Sequence, residues 1–162
     1  MWIIIKYKKN SENFFINEFS KKIKKTKFYC PKIVYKNKGK FIVKNILENY
    51  IFCFNLLFKD EKNIDQIKYL KGLDQVLDGY KNSQLQILDF INLCKKNENE
   101  DGSIGQNFFD KFEYSKVKFL NGPFSNLIFK ILDKKKNLIK SNLGSLVLKF
   151  KKNSNLYFRP IK

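Results

Sequence analysis

The feature that most constrains this chain is an apolar stretch at residues 46–58, ILENYIFCFNLLF. Side chains alternate between the two faces of a β-strand, which places the rings of Tyr50, Phe52 and Phe54 on one face and aliphatic or thiol groups on the other. Neither face is polar, so the pattern favours a central strand covered on both sides. Three rings on one face also form a patch that a partner can fill, and the alternation alone does not choose between these interpretations.

A first strand and a basic amphipathic helix are predicted ahead of this segment. Residues 2–7 form a β-branched run, and Ser11 is expected to cap the helix that follows. The apolar stripe of that helix repeats every four residues, at Phe15, Phe19 and Ile23. Lysines fill its other faces. Lys21 and Lys22 among them are either a solvated surface or ligands of nucleic-acid phosphates.

Turn and helix signals divide the rest of the first hundred residues. Pro31 interrupts a predicted strand at 27–35, which indicates an edge position or a bulge because proline cannot donate to a ladder. Residues 37–40 read as the tip of a hairpin. Ser83, with a glutamine three residues later, fits a capping box for a helix whose apolar residues follow at i, i+3, i+4 and i+7.

These signals predict an α+β fold in which an antiparallel or mixed sheet carries its helices on one face. Residues 98–107 are polar and contain two glycines, so they read as a linker between a domain at 1–97 and a second one at 108–162. The second domain is predicted to hold five short strands, a number that suits a small closed barrel. The predicted strands lie at 116–120, 127–132, 137–140, 146–150 and 156–158.

Charge points to a polyanionic partner. The chain has 33 Lys and Arg against 15 Asp and Glu, a formal net charge of +18. Placement says more than the total: residues 1–44 hold 13 lysines and two acids, whereas residues 45–100 hold 7 lysines and nine acids. Arg159 is the only arginine, which argues against bidentate reading of base edges and favours lysine contacts with phosphates.

Residue types also exclude several kinds of site. The chain has no histidine, so Ser-His and Cys-His nucleophiles and histidine-bound metals are absent, and no phosphate-binding loop motif occurs. Three widely spaced cysteines indicate buried thiols in a reducing compartment. No apolar run reaches the length of a membrane span. The expectation is a cytoplasmic protein that is not an enzyme and needs no metal or cofactor.

Several landmarks, taken in order, resemble the NusG family of transcription elongation factors. They are Trp2 in the first strand, Pro31, Asn-Tyr-Ile-Phe at 49–52, Lys-Gly-Leu at 71–73, and Gly-Pro-Phe at 122–124 within a terminal β-rich module. The Asn-Tyr-Ile-Phe form is most similar to the RfaH-type antitermination branch. The resemblance implies a NusG amino-terminal-like domain followed by a KOW domain, which is a small SH3-like β-barrel.

The resemblance also implies partners and residues for a monomeric factor. Tyr50 and Phe52 match the aromatics that dock on the clamp coiled coil of RNA polymerase, and Lys8 and Lys71 match positions that face the non-template DNA strand. Phe124 matches the barrel residue that contacts another factor, such as a small-subunit ribosomal protein or Rho. The implied activity is suppression of pausing or termination.

Two positions depart from the family pattern, and two other functions stay open. Glu48 stands where the family often has proline, and Phe129 stands where the KOW pattern has glycine. The main alternative is a general RNA- or ribosome-binding KOW protein without polymerase contact. A third possibility is membrane association through the basic segment at 11–25, which is weaker because the rings of that segment are needed to cover the sheet.

Overall fold

The structure, a computed structural model, describes residues 1–134, 138–151 and 157–161. In chain order the strands are β1 (Trp2–Tyr7), β2 (Lys27–Tyr29), β3 (Lys32–Asn37), β4 (Lys40–Asn45), β5 (Tyr50–Phe54), β6 (Leu73–Val76), β7 (Lys116–Phe119), β8 (Ile128–Lys134), β9 (Leu138–Leu143), β10 (Leu146–Lys151) and β11 (Phe158–Ile161). The α-helices are α1 (Glu12–Lys22), α2 (Glu61–Asp65) and α3 (Gln84–Lys95). Short 3-10 helices lie at Leu56–Lys59 and Gln106–Lys111.

The chain divides into two compact units, and the division differs from the predicted domains at the β3–β4 hairpin and at the predicted linker. The first unit contains residues 1–31 and 47–96, and the second contains residues 32–46 and 97–162. The hairpin formed by β3 and β4 therefore belongs with the carboxy-terminal part of the chain, although its sequence interrupts the amino-terminal part.

A four-stranded sheet organises the first unit, with the strand order β2-β5-β1-β6 and antiparallel pairing throughout. The predicted central strand is confirmed, because β5 lies between two neighbours and both of its faces are covered. Strand β2 lies at the edge and ends just before Pro31, as the position of that proline predicted. The predicted strand at 27–35 is in fact two strands, β2 and β3, in different sheets.

One face of this sheet is covered by α1 and by the segment that contains α2. The core on this side is formed by Ile3, Ile5, Tyr7, Phe15, Phe19, Ile23, Ile51, Cys53, Phe58, Ile64 and Ile67. The predicted stripe of α1 lies in this core. Ser11 makes no side-chain cap, and its hydroxyl instead donates to the carbonyl oxygen of Lys8.

Helix α3 covers the opposite face, so the prediction that the helices lie on one face is wrong. Ile87 and Ile91 of α3 pack on Phe52, which points away from α1. The capping box is also wrong, since Ser83 makes no side-chain cap. Gln84 holds the start of α3 instead: its Oε1 accepts from the Trp2 amide at 2.9 Å and its Nε2 donates to the Trp2 carbonyl at 2.7 Å.

The hairpin of β3 and β4 has the predicted tip. Lys38 and Gly39 both have positive φ, 48° and 80°, the conformation of the tight turn that matches the twist of a two-residue hairpin. Lys36 pairs with Phe41 and Val34 with Val43 on one face of the ribbon. Ile33 and Tyr35 are buried on the other face.

A five-stranded antiparallel sheet with the order β10-β9-β8-β7-β11 forms most of the second unit. Its core consists of Val117, Phe119, Phe129, Ile139, Phe150 and Phe158. Among the described residues the edge strands β10 and β11 do not pair with each other, so the closed barrel that the sequence predicted is an open sheet here. All five strands were predicted at these places in the chain. Asn137 and Leu156, the first residues of two of the predicted strands, lie outside the described residues. The α+β class is confirmed.

Phe129, which stands where the resemblance predicts a glycine, is a core residue of the second unit. The side chain is fully buried, and its ring centroid lies 5.3 Å from that of Phe119 and 5.8 Å from that of Phe124. Both pairs are edge-to-face, a favoured geometry for aromatic rings. A buried aromatic ring on β8 thus stands at the position where glycine was expected.

The segment predicted as a linker is packed within the second unit. Ile104 is buried, its amide donates to the Lys32 carbonyl at 2.7 Å, and Ser103 bridges to Lys32 as well. Asn99 closes the turn, because its amide donates to the Ser103 carbonyl at 2.8 Å. The polar composition of residues 97–107 comes from a compact turn that is joined to β3.

No α-helix built from the described residues has both the length and the apolar character required to cross a lipid bilayer.

Candidate functional site

The two predicted docking aromatics have different environments. Phe52 is 4% exposed, and its ring lies 5.8 Å from Phe90 and 6.3 Å from Tyr29. Together with Ile87 and Ile91 these side chains enclose it. A ring beneath the protein's own helix offers no area to a partner, so this burial is at odds with the predicted docking role of Phe52 and makes it a core residue of the first unit.

Tyr50 lies at the start of β5, on the same face as Phe52, and is only half-buried. It pairs with Lys6 across the sheet, and Lys6 forms an ion pair of 2.8 Å with Asp74. The hydrogen bond to Asp74 raises the pKa of Lys6. Tyr50 is therefore the predicted docking ring that keeps an accessible surface, beside a lysine that is neutralised by a carboxylate.

The turn before Tyr50 has a backbone conformation that the proline predicted by the resemblance could not adopt. Glu48 has a φ of 58°, a left-handed conformation. A proline ring holds φ near −65°, so proline is incompatible with this turn. Asn49 then fastens the turn to β1, since its Nδ2 donates to the Tyr7 carbonyl at 2.7 Å and its own carbonyl accepts from the Tyr7 amide at 2.9 Å.

The structure brings together the two lysines that the resemblance assigns to DNA. The Lys8 amide donates to the carbonyl of Gly72 at 2.8 Å, so the turn after β1 and the turn that carries Lys71 are adjacent. Gly72 has a φ of 86° and lies against the exposed ring of Phe14, where an added Cβ would be 3.3 Å from a ring carbon. We call the exposed side chains of Lys8 and Lys71 the lysine edge.

The two helix lysines stand apart from each other. Lys21 lies seven residues after Phe14 and hence on the same side of α1, about 10 Å further along the axis. Its ammonium forms an ion pair of 2.6 Å with Glu18, which reduces the charge that it offers to a phosphate. Lys22 is turned about 100° away from Lys21. Of these two lysines, Lys21 therefore lies on the same side of α1 as Phe14, and Lys22 lies on a different side.

Phe124 is half-buried in the turn between β7 and β8. Its ring lies 6.1 Å from that of Phe119, a core residue of the second unit. Gly122 in the same turn has a φ of 74°, and its carbonyl accepts from the Ser125 amide. One side of the Phe124 ring thus packs on its own sheet, and the remainder is accessible to a partner.

Cysteines and acids form no reactive cluster in the part of the chain that the structure describes. Cys53 is fully buried, and desolvation raises its pKa well above the usual value, which keeps the thiol protonated and unreactive. Within that same part, no group of three or more cysteine or acidic side chains is placed to hold a metal ion.

Sequence reasoning missed one surface, the outward face of the hairpin. Phe41 is 76% exposed and Val43 is 60% exposed, on a ribbon whose lysines include Lys36, Lys38 and Lys40. The signal was available in residues 40–44, Lys-Phe-Ile-Val-Lys, where both faces of a short strand are apolar. A two-stranded ribbon that packs through one face leaves the other in water.

Comparison with known proteins finds no matching family model and no significant match among curated proteins. Conformation B of the MjSpt4:Spt5 complex overlays with 9% identity and a TM-score of 0.31, covering 99% of this chain and 98% of that chain. Conformation A of the same complex overlays with 10% identity and a TM-score of 0.32, covering 99% of both chains. A structure on the domain interaction in Thermotoga maritima NusG overlays with 17% identity and a TM-score of 0.32, covering 96% of this chain and 95% of that one. Values of this size leave function to be argued from the chain's own residues.

Proposed function

We propose that this protein is a NusG-type transcription elongation factor, which binds RNA polymerase through its first unit and presents the lysine edge to the non-template DNA strand. The supporting observation is the hydrogen bond of 2.8 Å between the Lys8 amide and the Gly72 carbonyl. Lys8 and Lys71 are 63 positions apart, and a resemblance based on sequence motifs assigned both to DNA. Their adjacency is what a shared phosphate-binding edge requires.

The charges of these lysines also support the proposal that the lysine edge faces DNA. No carboxylate among the described residues lies within 4.0 Å of the ammonium of Lys8, Lys71 or Lys22. Lysine ammonium groups that are not neutralised attract phosphates at long range and without sequence preference. The lysine edge is thus suited to hold a DNA strand that has already been brought near by a bound polymerase.

Tyr50 is the docking ring in this proposal, and Phe52 supports it from the core. Side chains two residues apart on a strand are neighbours on one face, so the buried Phe52 fixes the strand from which Tyr50 projects. Tyrosine is among the residues that most often dominate the affinity of an interface, because it buries a large rigid ring and keeps a polar end. The partner surface is the clamp coiled coil.

Two finer parts of the proposal concern the outcome of binding. A factor that bridges the clamp and the non-template strand suppresses pausing or termination, which is the RfaH-type antitermination activity. The second unit, in the role of a KOW domain, contacts a small-subunit ribosomal protein or Rho through the accessible side of Phe124.

Polymerase binding by a single-residue variant tests the proposal. Tyr50→Ala should weaken binding to RNA polymerase purified from the source organism by about tenfold or more, as expected for an interface tyrosine. Biolayer interferometry gives the dissociation constant, and circular dichroism verifies that the fold is retained. Tyr69→Ala is the matched control, since Tyr69 is 92% exposed in the same unit and should leave affinity unchanged.

Equal affinity of the Tyr50→Ala variant and the parent chain would refute the docking assignment. If the chain also bound RNA with a steep salt dependence and no response to Tyr50, the general RNA- or ribosome-binding alternative would replace it.

A further inference from the structure

We infer that the outward face of the β3–β4 hairpin binds single-stranded DNA, with Phe41 stacking on an unpaired base and neighbouring lysines contacting phosphates. This site is separate from the lysine edge, which belongs to the first unit, and it does not depend on polymerase binding. We call it the hairpin face, and it consists of Val34, Lys36, Phe41 and Val43.

Strand pairing places these four side chains on one surface. Lys36 lies opposite Phe41, and Val34 lies opposite Val43. The Lys36 ammonium lies 6.0 Å from the centre of the Phe41 ring. The surface therefore combines a flat exposed ring, a small apolar floor and a cation beside the ring.

The reverse face holds the ribbon in place within the second unit. Tyr35 is 5% exposed, and its ring lies 5.8 Å from that of Tyr157. Asn121 links the same two segments, because its Nδ2 donates to the Lys36 carbonyl at 3.2 Å and its Oδ1 accepts from the Tyr157 amide at 2.7 Å. A ring presented from an anchored ribbon loses little conformational freedom when it binds.

Charge identifies the occupant as a polyanion. Residues 32–47 include five lysines and no acidic residue. Lys36, Lys38 and Lys40 are exposed, and no ion pair to them occurs within the described part of the chain. An acidic protein would satisfy the lysines, but it does not supply the stack of flat rings that an exposed phenylalanine accepts.

Base stacking on aromatic rings combined with a basic surface is the usual chemistry of single-strand binding. A duplex keeps its bases stacked on each other, so Phe41 has no ring to contact in double-stranded DNA. The four side chains of the hairpin face include no hydroxyl or carboxylate to accept a hydrogen bond from the ribose 2′-OH, so they give RNA no advantage over DNA.

Fluorescence anisotropy with the full chain and a labelled oligothymidylate of about 20 nucleotides tests the assignment. Phe41→Ala should weaken binding by about tenfold, in the range found for removing one aromatic–base stack. Phe41→Leu keeps an apolar side chain without the ring and should weaken binding as much, whereas Phe41→Trp should retain affinity. Val147→Ala is the matched control, since Val147 is an exposed valine on β10 of the same unit that lies outside the hairpin face, and it should change affinity by less than about twofold.

The lysines are tested by the dependence of affinity on salt. Replacing Lys36, Lys38 and Lys40 by glutamine should reduce the slope of log affinity against log salt by about 0.7 for each phosphate that is no longer neutralised. The control variant replaces Lys59, Lys62 and Lys96 by glutamine. These are exposed lysines of the first unit, so the slope should stay nearly unchanged.

Unchanged binding by both Phe41→Ala and Phe41→Leu would overturn the inference, as would equal affinity for the matching duplex or a tenfold preference for oligouridylate. Retained binding by Tyr50→Ala is expected, because that variant affects only the proposed polymerase contact. The outcomes of the two proposals are therefore distinguishable.

Discussion

Phe52 and Phe41 are both phenylalanines on β-strands, but the first is buried and the second is exposed. Phe52 lies on β5, between two neighbouring strands and beneath α3, and is 4% exposed. Phe41 lies on a two-stranded ribbon that packs only through its reverse face, and it is 76% exposed. The difference shows that the number of covered faces, rather than the side chain, decides whether a ring becomes core or surface.

The largest expected effect on stability is at Phe52. Phe52→Ala should lower the free energy of unfolding by about 3–5 kcal/mol, the usual cost of removing a buried phenylalanine and leaving a cavity. Urea unfolding of the full chain, followed by far-UV circular dichroism, measures it. Phe52→Leu keeps most of the volume and should cost less. A decrease below about 1 kcal/mol for Phe52→Ala would mean that α3 does not cover this ring.

Tyr35 sharpens the comparison, because it lies on the same hairpin as Phe41 but faces inward. Tyr35→Ala should cost about 2–4 kcal/mol in the unfolding of the second unit. Tyr35→Phe, the matched control, keeps the ring. Burial raises the pKa of the Tyr35 phenol above 10.0, so the wild type should lose stability as the pH rises through and beyond that value. Tyr35→Phe should lose less over the same pH range, and equal decreases would exclude this phenol as the cause.

The smallest expected effect is at Phe41 itself. Phe41→Ala should change the free energy of unfolding by no more than about 0.5 kcal/mol, as is usual for an exposed position. The same urea titration provides the value. A cost above about 1 kcal/mol would show that the ring is packed in solution, which would end the contrast with Phe52 and remove the ring from the hairpin face.

Local sequence patterns predicted most of the individual elements. The β-branched run located β1, the i, i+3, i+4, i+7 spacing located α3, and the turn at Lys38 and Gly39 marked the hairpin. The short strands of the second unit were also located. These features depend on backbone geometry and on neighbours within a few residues, which is the information that a single sequence carries directly.

Capping and linker signals were less informative, because tertiary contacts replaced them. Ser83 was predicted to cap α3, but Gln84 holds the helix by bonding to Trp2 on a distant strand. Residues 97–107 have the composition of a linker, yet Ile104 is buried and bonded to Lys32. Polar and glycine-rich segments form either free linkers or tight turns, and only a partner elsewhere in the chain selects between them.

For the proposed sites, the sequence determined which residues share a face and where lysines are concentrated. It could not determine that α3 covers Phe52, that Lys8 lies next to the turn of Lys71, or that the hairpin packs in the second unit and leaves Phe41 in water. Each of these depends on contacts between segments tens of residues apart. The alternation along a strand defines two faces, but the elements that pack from elsewhere decide which face meets solvent.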